Sequence, residues 1–126
     1  MKSAKYIFII AAVYGLIVLL PMYFSESRFN ADFPPAITHP EYFYGFIGVG
    51  VAWQILFLLI AINPLRYKLM MIPAMLEKFS FGIAVIILFS QQRAQIMILS
   101  SAIIDMLFGM LFIFAFFKTK EEQKNI

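Results

Sequence analysis

Glu77, Lys78 and Asp105 are ionisable side chains set in the middle of long apolar runs, where water cannot solvate them. A carboxylate beside an ammonium can exchange a proton, hold a ligand or act as an acid–base pair. A buried lysine can also form a Schiff base with a carbonyl. Tyr14, Trp53 and Gln54 bring further polar groups to the middles of two other apolar runs. Each bare charge at the centre of a lipid layer costs at least about 2.5–3.5 kcal/mol, so these residues must have partners or a task.

The runs that position them are Tyr6–Phe24, Tyr42–Ile62, Leu69–Phe89 and Ile96–Phe117. Each is close to the roughly 20 residues that a helix needs to cross the hydrocarbon core. They are continuous and do not alternate, which disfavours strands, and four short strands could not close a barrel, the only other lipid-compatible fold. Hydrophobic residues make up 63% of the chain and charged residues 13%, against roughly 45–50% and about 25% in soluble domains. The expected fold is an all-α membrane protein, a single four-transmembrane-helix bundle with helices at about 4–24, 41–62, 64–90 and 93–118.

Halving each run places its middle near residues 15, 52, 79 and 106, so the six polar side chains share one thin slab at a rise of about 1.5 Å per residue. Around Gln54 one helical face carries Ile47, Gly50, Phe57 and Ala61. Around Asp105 it carries Ala94, Ile98, Ser101, Ala102, Gly109 and Phe112, and around Glu77 it carries Met70, Pro73, Ser80 and Ala84. Small residues at that spacing let helices approach, so these faces are expected to look inward. Pro73, one turn before Glu77, is expected to kink its helix and free a carbonyl there. Arg66 lies about 16 Å from Glu77 along a helix and cannot neutralise the centre. Two carboxyls therefore face one ammonium, and one of them is expected to stay neutral.

The connections follow from their turn chemistry. Asn63-Pro64 reads as a cap followed by proline at the first helical position, and Ser90–Arg93 is equally short, so helices two, three and four are expected to be antiparallel neighbours. Ser25–Pro40 reads as the one real loop, stiffened by Pro34, Pro35 and Pro40. Lys2, Lys5, Arg66, Lys68, Lys118, Lys120 and Lys124 fall on one side and only Arg28 and Arg93 on the other. The positive-inside rule then puts both termini in the cytoplasm and argues against dual topology. The first run is too long for a signal peptide and bulky Tyr23 and Phe24 precede the serines, so helix one is expected to remain uncleaved.

Other features exclude more than they suggest. The chain has no cysteine and a single histidine. Disulfides and thiolate chemistry are ruled out, and His39 near Asp32 and Glu41 lacks the ligand spacing of a metal site. No cofactor is expected. The net charge of +3 comes from helix ends, which gives no nucleic-acid surface. Tyrosines near the span ends fit an interfacial belt, and the mixed-charge tail Lys118–Lys124 reads as a solvated end.

The run from Pro73 to Gly82, with Glu77-Lys78 inside it, and the later Asp105-Met-Leu-Phe-Gly109 resemble segments of small uncharacterised bacterial four-helix membrane proteins. In size and layout the chain is similar to DoxX-like proteins over its last three helices, without their helix-one pattern. That resemblance implies a bacterial inner (plasma) membrane and brings no catalytic residue. The first expectation for function is a non-catalytic accessory or assembly protein whose buried network specifies contacts in a homo-oligomer or larger membrane complex. The alternatives are a carrier or binder of a small lipophilic or cationic ligand using Glu77 and Asp105, and a lipid-phase acid–base enzyme such as an isomerase.

Overall fold

A computed structural model describes residues 2–124, with side chains through Thr119, and every regular element among them is helical. Helix α1 spans Lys2–Leu19, the short α2 Glu26–Asp32, α3 Pro40–Ile62, α4 Met71–Ser90 and α5 Ile96–Lys124. Four segments are long and apolar enough to cross a membrane: Lys2–Phe24, Pro40–Ile62, Lys68–Ser90 and Ile96–Thr119. Large apolar side chains such as Ile10, Ile17, Val49, Leu76, Ile83, Leu107 and Met110 point outward along them. In lipid that surface is where they belong.

Chain breaks have local causes. Pro21 lacks an N–H and would clash with the preceding turn, so α1 tightens into a 3₁₀ segment, Leu20–Phe24, and the Ser25 hydroxyl donates to the Pro21 carbonyl at 2.6 Å. The expected loop is partly helical. In α2, Phe29 packs at a tilt against Phe33 and Phe43, with centroids 4.8 and 5.3 Å away, and the Tyr44 hydroxyl donates to Glu26 at 2.9 Å. These contacts fold the segment over the start of α3.

Asn63 caps a turn as expected, its Oδ1 accepting the Arg66 N–H at 3.1 Å, but that turn does not continue into α4. A 3₁₀ turn, Lys68–Met70, intervenes and α4 starts at Met71. Pro73 therefore lies in the first turn of α4, where its missing N–H costs nothing, which removes the reason for the kink expected beside Glu77. At the other end, the Arg93 N–H reaches the Leu88 carbonyl at 2.8 Å and the Gln92 N–H reaches Phe89 at 2.9 Å, with Gln92 at φ 61°. This is a Schellman stop with a side chain where glycine is favoured. Gln92→Gly is expected to raise stability by about 1 kcal/mol, read from the unfolding midpoint of purified protein.

The helices pack in the order α3, α1, α5, α4. Helix α1 lies against both α3 and α5, and α5 against α4, whereas α3 and α4 touch only sparsely. The short Asn63–Tyr67 connection makes these two neighbours in sequence without making them pack, which corrects the expectation for helices two and three. Close approach elsewhere comes from reciprocal notches. Gln54 lies over Gly15 and Leu19 over Gly50 between α1 and α3, while Met106 lies over Gly82 and Phe79 over Gly109 between α4 and α5.

The half of the bundle nearer the chain termini is solid. Phe8 stacks on Phe112 at 4.2 Å, Phe57 meets Phe112 edge-on at 5.1 Å, and Ala4, Ala11, Ala12, Ala61, Ala74 and Ala115 fill around them. The other half is not filled in the same way.

Candidate ligand cavity

The inward face of α4 is Met71, Ala74, Lys78, Gly82 and Val85, a strict helical stripe. Lys78 is thus the core-facing member of the Glu77–Lys78 pair, only 2% exposed, and it stands where the aromatic plug ends. Its ammonium lies 5.2 Å from the Phe57 centroid and 5.6 Å from that of Phe108, distances at which a cation is attracted to a ring face. Asp105 Oδ1 is 3.4 Å from Nζ and Glu77 Oε2 is 3.8 Å away. Both are long for charge-assisted contacts, which close to about 2.7–2.9 Å when packing allows.

That looseness accompanies empty space. A cavity of about 160 Å³ begins at the trio and extends away from the termini, lined by Tyr14, Gly15, Leu19, Gly50, Gln54, Ile98, Ser101 and others. Of the six residues expected to share a midplane slab, Tyr14, Gln54, Glu77, Lys78 and Asp105 all line it. Trp53 does not. It lines a second space, an open groove of about 920 Å³ between α3 and α4, with Tyr42, Val49, Pro73 and Ser80. Glu77, Phe46, Gly50 and Phe81 belong to both walls. Phe46 and Phe81, 6.1 Å apart, stand between groove and cavity.

Two acceptors in this wall lack donors. The Gln54 amide nitrogen donates to the Gly50 carbonyl at 2.9 Å, leaving its buried oxygen Oε1 without a partner, and buried Glu77 Oε2 makes no hydrogen bond. An unsatisfied buried acceptor costs about 1–3 kcal/mol, more when charged. A cavity of this size has room for about five waters at about 30 Å³ each, or for the head of a small ligand.

Most of the faces expected around Gln54 and Asp105 look inward, with Ile47, Gln54, Phe57, Ala61, Ala102 and Phe112 buried, whereas Ala94, expected on the Asp105 face, lies in the bend before α5. The face expected around Glu77 looks instead along the groove, where Pro73, Glu77 and Ser80 lie, and Met70 is 45% exposed. Ala74 is buried in the aromatic half and Gly82 against Met106, so neither is a place from which to fill the cavity. Ser101 and Ile98 are. Gly15 joins the wall beyond the six expected residues, and its sequence signal is that it is the only glycine of the first run and lies at its middle.

No group of three or more metal-binding side chains occurs among the described residues. His39 lies 3.7 Å from Glu41 at the exposed start of α3. The side chains of Lys120, Glu121, Glu122 and Lys124 lie outside the described residues. No protein-family model, curated protein or solved structure matches the chain.

Proposed function

We propose that the protein is a multi-pass protein of the bacterial plasma membrane, with both termini cytoplasmic, that binds a small amphiphilic ligand at the Glu77–Lys78–Asp105 trio. The observation that carries this reading is the hollow beside the trio. A network whose sole task was to fix helix pairing gains from close packing and complete hydrogen bonding. Here the ion contacts are slack, two acceptors go unpaired, and space of ligand size adjoins both. The Lys78–Asp105 pair also ties α4 to α5, so an architectural contribution, in one chain or in a larger complex, accompanies binding without replacing it.

Orientation rests on the distribution of lysine and arginine, and the bacterial plasma membrane on the resemblance to small bacterial four-helix proteins. In this arrangement the aromatic plug faces the cytoplasm and the cavity lies in the outer half. A cavity confined to one half of the bundle suits a binder, or a carrier that must rearrange to release its load on the other side.

Trp53 is the only tryptophan in the chain and lines the groove, which makes it a native reporter. In phosphatidylcholine nanodiscs, 12-bromododecyl amphiphiles with alcohol, carboxylate or ammonium heads are tested for saturable quenching of Trp53, reversed by the unbrominated analogue. At least one head is expected to quench saturably. Ser101→Phe is expected to weaken that binding at least tenfold by filling the cavity, with the unfolding midpoint little changed. Linear, non-saturable quenching by all three heads, as lipid-dissolved quenchers give, would overturn the reading.

A further inference from the structure

The shape and charge of the two adjoining spaces specify the ligand further, on the reading that the cavity binds an amphiphile. We propose that the occupant is a single-chain primary alkylammonium which enters sideways from the lipid between α3 and α4. Its head lies in the cavity beside Glu77 and Gln54, and its chain lies in the groove.

Charge comes first. The cavity wall holds two carboxyls and one ammonium, and Lys78 hydrogen-bonds Asp105 and not Glu77. Glu77, 3.8 Å from the same ammonium, shares that single counter-charge with the closer Asp105, in surroundings where an under-compensated charge is costly. A ligand cation supplies a second counter-charge. An anionic head would meet two acidic groups and one lysine already engaged.

Hydrogen bonding narrows the head group. Glu77 Oε2 and Gln54 Oε1 are both acceptors without donors, and Gln54 is 2% exposed. The amide orientation is set by its donation to Gly50, so the acceptor left over is its oxygen, which lies beside Gly15 in the cavity wall. A primary ammonium carries three N–H donors to offer to such acceptors, whereas a quaternary ammonium carries none. Phe46, Phe81 and Tyr14 add aromatic rings to the wall, which favour a cation over a neutral head.

Size and path define the rest. The cavity, about 160 Å³, is close to one of about 150 Å³ that holds a benzene-sized guest. It takes a head and a few carbons, not a chain. The groove of about 920 Å³ is large enough for one alkyl chain, is predominantly apolar, and meets the cavity at Phe46, Gly50, Glu77 and Phe81. It lies between the two long helices that scarcely touch. A chain can therefore stay in contact with lipid while its head turns inward past the two phenylalanines.

Gly45 permits a clean test of chain placement, because it lines the groove and a Cβ added there meets nothing within 4 Å. Binding is read from Trp53 quenching by 12-bromododecylammonium in phosphatidylcholine nanodiscs, with competition by dodecylammonium, dodecyltrimethylammonium, dodecanol, dodecanoate and butylammonium. Dodecylammonium is expected to compete at least tenfold better than the other dodecyl compounds. Glu77→Gln should erase that preference and Glu77→Asp retain it. Gly45→Phe should weaken dodecylammonium at least tenfold and leave butylammonium within twofold. The head-group ranking on the wild-type protein decides the charge argument even where a variant fails to fold. If dodecanol or dodecanoate competes as well as the amine, amphiphile binding stands and the cationic ligand falls. An equal response to the trimethyl compound overturns the donor argument, and an unaffected Gly45→Phe overturns the groove. If no head group quenches saturably, the binding reading itself fails and this inference fails with it.

Discussion

Lys78→Met is expected to be the most damaging single substitution in the wall of the cavity, at about 3–5 kcal/mol, the usual cost of removing one partner from a buried ion pair. The lysine is 2% exposed and sits between Asp105 at 3.4 Å and Glu77 at 3.8 Å. Methionine replaces the apolar stem of the lysine but leaves both carboxyls without their ammonium. The experiment is thermal unfolding of the detergent-solubilised protein, with the recovered amount of monodisperse material as a second readout. The double variant Lys78→Met/Asp105→Leu is expected to regain a large part of the loss, because an apolar pair of similar volume replaces the closer ion pair and only the more distant Glu77 is left without its lysine. Lys78→Met/Glu77→Gln should regain less, since the shorter contact and the hydrogen bond both go to Asp105. A Lys78→Met protein as stable as wild type would show that the trio holds nothing together.

The four long helices and the depth of the polar side chains could be read from hydropathy alone, because lipid imposes a length on each span and a single middle on each length. What hydropathy could not decide was direction around the helix axis. Glu77 and Lys78 are adjacent and point about 100° apart, and both have small residues a turn away: Pro73 and Ser80 for one, Ala74 and Gly82 for the other. The structure turns Lys78 inward because Gly82 accepts Met106 and Ala74 packs into the aromatic plug, pairings with α5 and its neighbours that no local pattern reveals. Helix order was hidden for a similar reason. A short link constrains two helix ends to be close, whereas the faces with notches decide which helices lie together along their lengths, and the notches of α3 meet α1. Helix α4 starts at Met71 and not at the expected Pro64 because the turn that Asn63 caps stops at the 3₁₀ step after it. The hollow itself has no sequence signal, since it is what remains after every side chain has found its neighbours.

Gly15→Ala tests whether that hollow depends on one methyl group. On α1, a Cβ at position 15 would overlap the Gln54 amide and stand 2.9 Å from its Cγ, so the flexible tip of the glutamine cannot absorb the change by itself. The side chain must swing away, breaking its hydrogen bond to Gly50 and moving towards the cavity that it lines. Overpacking of this kind costs about 1–3 kcal/mol, with an added penalty for the displaced amide. Gln54→Ala removes the obstacle, so Gly15→Ala should be nearly harmless in that background. A double-mutant cycle on unfolding midpoints is therefore expected to give a coupling of at least about 1 kcal/mol between two residues on different helices. Binding should respond differently from stability. Gly15→Ala is expected to abolish saturable Trp53 quenching because the amide now occupies the cavity, while Gly15→Ala/Gln54→Ala recovers room for the chain but not the amide acceptor. Additive effects of the two substitutions on stability would mean that α1 and α3 do not meet through this notch, and the wall between Gly15 and Gln54 would have to be drawn elsewhere.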